Sequence, residues 1–269
     1  MGAEDVHMVT SPHEVLDALS IPYARWCIED WVSEGQLYKS GAAPFLTGID
    51  FDPVAGTQIR IVRFGTAPTP VEMRATLDWA IATCGEDMFS IDAPGAADLR
   101  DMRCSQIYVE RMITHDGDGD IRRTTLAEAP DWVRSNLETS LRNGAAARGL
   151  VFAEAALANY LGDLFGNPNF FVSHSTTRTL AAACLLVEDD WDGRQRLELF
   201  DLVGTDTRYA ESLLASTARM EGFDRIRGTV TMGSDTRGPK VWTALRARGW
   251  SRVGSQITAS RQDLGMTSN

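Results

Sequence analysis

Leu197-Glu-Leu-Phe-Asp-Leu-Val203 alternates in period two, and the chain then passes through Gly204-Thr-Asp206 into Ala210, Leu213, Leu214 and Ala218 at helical spacing. A strand running into a helix over about Tyr209 to Met220 is the reading these residues support. Ile226-Arg-Gly-Thr-Val230 repeats the move: a strand over Arg225 to Met232, a helix over Pro239 to Arg248 ending in Gly249-Trp250, and a last strand over Ser251 to Ser260. Upstream, Asp189-Asp-Trp-Asp-Gly193 reads as a hairpin loop joining strands Thr179 to Glu188 and Arg196 to Val203, with another strand at Phe170 to Ser173. Helices over Pro130 to Leu141 and Val151 to Phe165 come before these, after a short strand at Ile121 to Thr125. From Ile121 onward the order is strand, two helices, three strands, then helix, strand, helix, strand.

The N-terminal part reads differently. A helical pattern covers Pro12 to Glu34, broken at Pro22, and Gly35 to Pro53 reads as irregular. Gln58 to Phe64 alternates as a strand, and Thr69-Pro70 supplies an N-cap and first-turn proline for a helix ending near Gly85. Met88 to Ile91 reads as a strand, Ala96 to Met102 as a short helix, and Gln106 to Ile113 as a strand. The expected division is therefore a β/α lobe over 1–114 and a mixed α/β domain over 121–261. His115-Asp-Gly-Asp-Gly-Asp120 between them has the look of a calcium loop, but Ala127 stands where a bidentate Glu is required, so it reads as a turn.

Composition narrows the functions. The 269 residues carry a net charge of −11, which disfavours a general nucleic-acid binder. Between Arg219 and Arg261, however, nine Lys or Arg face three Asp or Glu, a local balance of +6 suited to a phosphate-bearing ligand. The four cysteines have no paired spacing, and Met1-Gly-Ala-Glu-Asp5 lacks a basic region with an apolar core. A reduced cytoplasmic protein without a metal is expected.

The element order from Ile121 to Ser260 resembles the GNAT acyltransferase superfamily, carried locally by Leu197–Val203 with its helix and by Ile226–Val230 with the helix ending at Gly249-Trp250. The first half resembles, more weakly, the small N-terminal lobe of two-domain amino-sugar N-acetyltransferases. The resemblance implies an α/β (α+β mixed) GNAT fold with a smaller N-terminal lobe. It also implies an enzyme moving an acetyl or other acyl group from acyl-CoA to the amine of a small molecule. The pyrophosphate of the donor would lie at the N-terminus of the helix after Val203, where backbone N–H groups and the helix dipole favour an anion. Leu202, Val203, Thr205, Thr207, Arg208, Tyr209 and Ala210 are the residues this assigns to the donor. In the pyrophosphate loop Ala210 fits the family pattern, but Thr205 replaces an Arg or Gln and Arg208 replaces a Gly; Arg208 would then contact phosphate directly.

Acyl transfer needs a deprotonated amine and a protonated leaving group. The resemblance places a carboxylate base on the strand Leu197–Val203, with Glu198 favoured and Asp201 second. Alternation puts Glu198 and Phe200 on one face and Leu197, Leu199 and Asp201 on the other. His174 is a further candidate, and Leu245 occupies the position where many members carry a tyrosine acid. Two other readings use the same fold: a transferase taking its aminoacyl group from aminoacyl-tRNA for a small-molecule acceptor, as in natural-product biosynthesis, and a non-catalytic binding protein.

Overall fold

The structure is a computed structural model that describes residues 6–16, 25–40, 43–63, 69–86, 88–94, 106–113, 121–175, 181–189, 193–204, 207–232, 237–260 and 262. Its elements are β1 (Val6–Met8), a 3₁₀ turn (Pro12–Glu14), α1 (Arg25–Ser33), β2 (Leu37–Ser40), β3 (Ala43–Asp52), β4 (Gly56–Arg63), α2 (Pro70–Cys84), β5 (Met88–Pro94) and β6 (Gln106–Met112). Then come β7 (Ile121–Thr124), α3 (Asp131–Ala147), α4 (Glu154–Gly166), β8 (Phe170–Ser175), β9 (Ala181–Asp189), β10 (Gln195–Gly204), α5 (Thr207–Met220), β11 (Arg225–Thr231), α6 (Arg237–Arg246) and β12 (Ser251–Ser260). Two compact units form: Met1–Tyr108 with Trp191–Gly193 and Arg252–Asn269, and Val109–Asp190 with Arg194–Ser251.

In the first unit the strands lie in the order β1-β2-β3-β4-β5-β12, antiparallel throughout except for the parallel pair β4–β5. The strand β12 pairs with β5 from Gly254↔Pro94 to Ser260↔Met88. Helix α2 covers one face of this sheet, burying Met73, Leu77 and Ala80 against Phe45, Ile59, Ile61, Phe89 and Ile91. Its start is fixed by a capping box: the Glu72 N–H donates to Thr69 Oγ1, while the Thr69 N–H donates to the Glu72 carboxylate. On the other face Ile28 of α1 packs with Leu37, Leu46 and Val62.

The stretch Gly35 to Pro53, expected to be irregular, holds β2 and β3 instead. Pro44, Gly48 and the acidic tip hide the strand, and at that tip the apolar Ile49 and Phe51 face solvent, 55% and 68% exposed. Backbone geometry secures the hairpin: Asp52 Oδ1 accepts from the N–H groups of Val54 and Ala55, and Gly56 turns at φ +80°. Within Pro12 to Glu34 the described helical pieces are the 3₁₀ turn and α1. The expected helix Ala96 to Met102, the turn His115 to Asp120 and the cysteine at 104 lie outside the described residues.

In the second unit the order is β6-β11-β10-β9-β8-β7, with β10–β11 parallel and β7–β8, β8–β9 and β9–β10 antiparallel. From β7 to β12 the order of elements is the one the sequence predicts. Helix α3 runs past Leu141 to Ala147 and places Val133 and Leu137 over Val172, Ala182, Cys184 and Val203. On the opposite face α5 buries Leu213, Leu214 and Ala218, and Ser173 Oγ and Thr217 Oγ1 share a buried hydrogen bond of 2.6 Å.

Candidate functional site

Strands β10 and β11 pair over Leu197–Leu199 and Ile226–Gly228, and among the described residues no further pair extends the ladder. Beyond that point β10 continues to Gly204 and β11 to Thr231. Two parallel strands that stop pairing leave unbonded backbone groups and open space between them. That space is a cleft of about 570 Å³ within the second unit. Leu199–Leu202 of β10 and Gly228–Thr231 of β11 form its floor, with one wall from α3 and another from the start of α6. Gly238 makes the α6 side possible, since a Cβ there would meet the Thr231 carbonyl oxygen at 2.3 Å.

A bulge sits at the same place. Glu198 faces Leu186 and Leu199 faces Leu185, but the next partner, Cys184, faces Asp201. The extra residue, Phe200, shifts the alternation by one. Asp201 therefore lies on the face of Cys184 and Leu186, toward α3, which is also the face of Glu198. The expectation that Glu198 and Asp201 point to opposite faces is corrected by this bulge.

Asp201 lines the cleft. Burial raises its pKa, while the Ser140 hydroxyl on α3 and the Leu202 N–H favour the charged form. Its Oδ2 is buried and, among the described residues, has no hydrogen-bond partner. Glu198 is not among the lining residues. Its Oε2 stands 3.4 Å from Arg196 Nε, and its carboxyl is pushed up to about 7 by burial and by Glu188, against the pull of Arg196 and Arg227. His174 sits on β8 opposite Arg122 and Ala182, with Nδ1 3.2 Å from the Ser175 carbonyl, and does not line the cleft.

The residues assigned to the donor divide. Leu202 lines the cleft and is exposed, while the Val203 side chain is buried in the core beneath α3. The backbone of Thr207, Arg208, Tyr209 and Ala210 opens α5, and Tyr209 is half-buried. Thr205 and Asp206 lie outside the described residues, as do the side chains of Thr207, Arg208 and Ala210. Leu245 and Trp250 both line the cleft, so the position that a tyrosine acid would take is apolar.

Sequence reasoning missed the α3 wall. Ser140, Asn143, Gly144 and Ala147 recur at the spacing of one helix face and all line the cleft. The signal was present as Asn143-Gly-Ala-Ala-Ala147, a run of small residues that reads as the end of a helix and is its last turn and a half.

The chain is a mixed α/β protein, and its last ten elements follow in the order that the sequence reading compares with GNAT proteins. Solved structures of GNAT proteins align along much of the chain. A GCN5-related N-acetyltransferase from Sphaerobacter thermophilus is 13% identical, with 94% of this chain and 93% of that one covered and a TM-score of 0.48. One from Kribbella flavida is 14% identical (94% and 71% covered, TM-score 0.35), and one from Anabaena variabilis 11% (86% and 64%, TM-score 0.36). No family model and no curated protein sequence matches the chain. Among the described residues no helix is long and apolar enough to cross a membrane.

Proposed function

We propose that the chain is an N-acyltransferase that moves an acyl group from acyl-CoA to the amine of a small molecule. The observation that carries this reading is the parting of β10 and β11 at a bulge that sets a carboxylate, Asp201, in the resulting cleft. Unpaired backbone on both strands suits an extended donor arm that carries amide groups of its own, because each strand edge offers N–H and C=O to it. The donor's pyrophosphate would then meet the start of α5, with Arg208 as its cation.

In this reading Asp201 takes the role of base. An ammonium nitrogen gives its proton to the Asp201 carboxylate, directly or through one water, and the freed lone pair attacks the thioester carbonyl. A C–N bond forms, the C–S bond breaks, and the departing sulfur takes the second proton, which the nitrogen sheds as it becomes an amide. No side-chain acid is assigned to the sulfur, in keeping with Leu245 at the tyrosine position. The unpartnered Oδ2 supports the assignment, since a buried carboxylate oxygen without a donor is costly unless a ligand supplies one.

Purified protein offered acetyl-CoA and a panel of amines should release coenzyme A and form amide, detected by a thiol reagent and by mass spectrometry. Asp201→Asn should lower kcat by roughly 10²–10⁴-fold, the usual value of a positioned base, while coenzyme A affinity holds. Amide formed from charged tRNA alone, with no response to acyl-CoA, would transfer the reading to aminoacyl-tRNA as donor. Binding of neither donor would leave a non-catalytic binding protein.

A further inference from the structure

Gly144 lies inside α3, three residues from its end, where an alanine would stabilise the helix. Its φ is not positive, and a Cβ built there meets nothing within 4 Å. Neither a turn nor a close backbone approach explains the glycine. What it faces is the cleft, on the same stripe as Ser140, Asn143 and Ala147. Space on that side is thus kept open by the helix sequence itself.

The charge in the cleft is equally specific. Among the described lining residues Asp201 is the only acid, and Arg237 at the start of α6 is the only base. Phe200, Leu202, Gly144 and Ala147 bring no polar side chain to the cleft, the Ser140 hydroxyl is engaged by Asp201, Thr231 is half-buried, and Asn143 and Thr229 are exposed. One buried carboxylate oxygen lacking a donor matches one ammonium group. A polyamine would bring further cations with no acid to meet them, and an amino sugar would press hydroxyls against Phe200 and Ala147 without partners. Trp250 is 4% exposed, lines the same cleft and has an indole Nε1 without a partner among the described residues, a donor able to meet a single acceptor atom.

Resting on the acyltransferase reading, we propose that the acceptor is a monoamine with an apolar body: its nitrogen lies at Asp201 and its body along the α3 stripe, over Gly144. Gly144 is then the residue that sets how large a body is accepted. The donor is left the β11 and α6 side, where Arg237 stands.

The test uses the full chain, with 2-phenylethylamine, ethylamine, glucosamine and spermidine as probes. Calorimetry follows binding, and coenzyme A release from acetyl-CoA follows turnover. The expected result is that 2-phenylethylamine binds and is acylated in preference to glucosamine and spermidine, with binding lost in Asp201→Asn. Gly144→Leu, a good helix former, should fold with an unchanged or higher Tm and cut the selectivity for 2-phenylethylamine over ethylamine by roughly tenfold or more. Preference for glucosamine or spermidine, or a selectivity ratio indifferent to Gly144→Leu, overturns the proposal. Binding of 2-phenylethylamine that depends on Asp201 and Gly144 but gives no acylation keeps the amine site and overturns the acyltransferase reading instead. Acylation of amines with no binding preference among them does the reverse.

Discussion

At Glu198 and Asp201 a single extra residue decides which carboxyls share a face of the strand. The strand that carries Glu198 follows from the alternation of Leu197–Val203, but strict alternation could not foresee that Phe200 bulges and brings Asp201 round to the same face as Glu198. The two carboxyls should behave differently. Asp201→Asn removes a cleft group, so turnover falls; Glu198→Gln acts at a distance from the lining and should affect stability more than chemistry. Glu198 is 14% exposed and its pKa stands near 7 against an ordinary 4.5, so the folded chain holds its proton where the unfolded chain has lost it. The folded state is therefore favoured below about pH 4.5 and loses stability as pH rises toward 7, after which the loss is complete. With about 1.4 kcal/mol per pKa unit, the effect is on the order of 1–3 kcal/mol. Denaturant titrations of Glu198→Gln should show a flatter pH dependence over that window and higher stability than wild type at pH 8. A variant less stable than wild type at pH 8 would mean that the pairing with Arg196 outweighs burial.

Elements were legible where pattern and backbone chemistry agreed. The capping box at Thr69, the period of β10 and the Gly-Trp end after α6 all give local signals that tertiary structure has no reason to override. Failures came where packing reversed the pattern, as at β3 with its exposed Ile49 and Phe51, or where an element continued past its apolar stripe, as α3 does from Leu141 to Ala147. The cleft wall was lost for the second reason, because small residues on a helix carry little periodic signal. Two element-scale predictions separate cap from cleft. Thr69→Ala should cost about 1 kcal/mol in thermal or chemical unfolding, since it frees the Glu72 N–H and breaks the reciprocal bond. Gly144→Ala should instead raise stability, by about 0.5–1 kcal/mol, because α3 gains helix propensity and the added methyl meets open space. Destabilisation by Gly144→Ala would show that the cleft closes on that helix.

At the scale of the molecule, each compact unit includes a strand that the sequence assigns to the other half. The expected boundary falls between 114 and 121 and gives Ser251 to Ser260 to the C-terminal domain, yet Arg252 onward clusters with the first unit, where β12 pairs with β5 over seven residues. Gln256 Nε2 adds a bond to Ser90 Oγ at 3.1 Å, and Ile257 and Ala259 enter the same apolar core as Phe89 and Ile91. In return, the second unit takes Val109–Met112 of β6 beside β11, and Val109 lines the cleft. Such an exchange is invisible to periodicity, because a strand looks the same whichever neighbour it pairs with. It has a direct consequence for dissection. A fragment of 121–261 carries β12 without β5 and lacks β6 beside β11, so it exposes one apolar strand and one long sheet edge at once. Expressed alone, it should aggregate or unfold without a cooperative transition, by circular dichroism and size-exclusion chromatography. A fragment beginning at 106 and ending at 251 restores the edge partner and removes the orphan strand, and should recover a sharper transition. Cooperative folding of 121–261 equal to that of 106–251 would show that the second unit depends on neither exchanged strand.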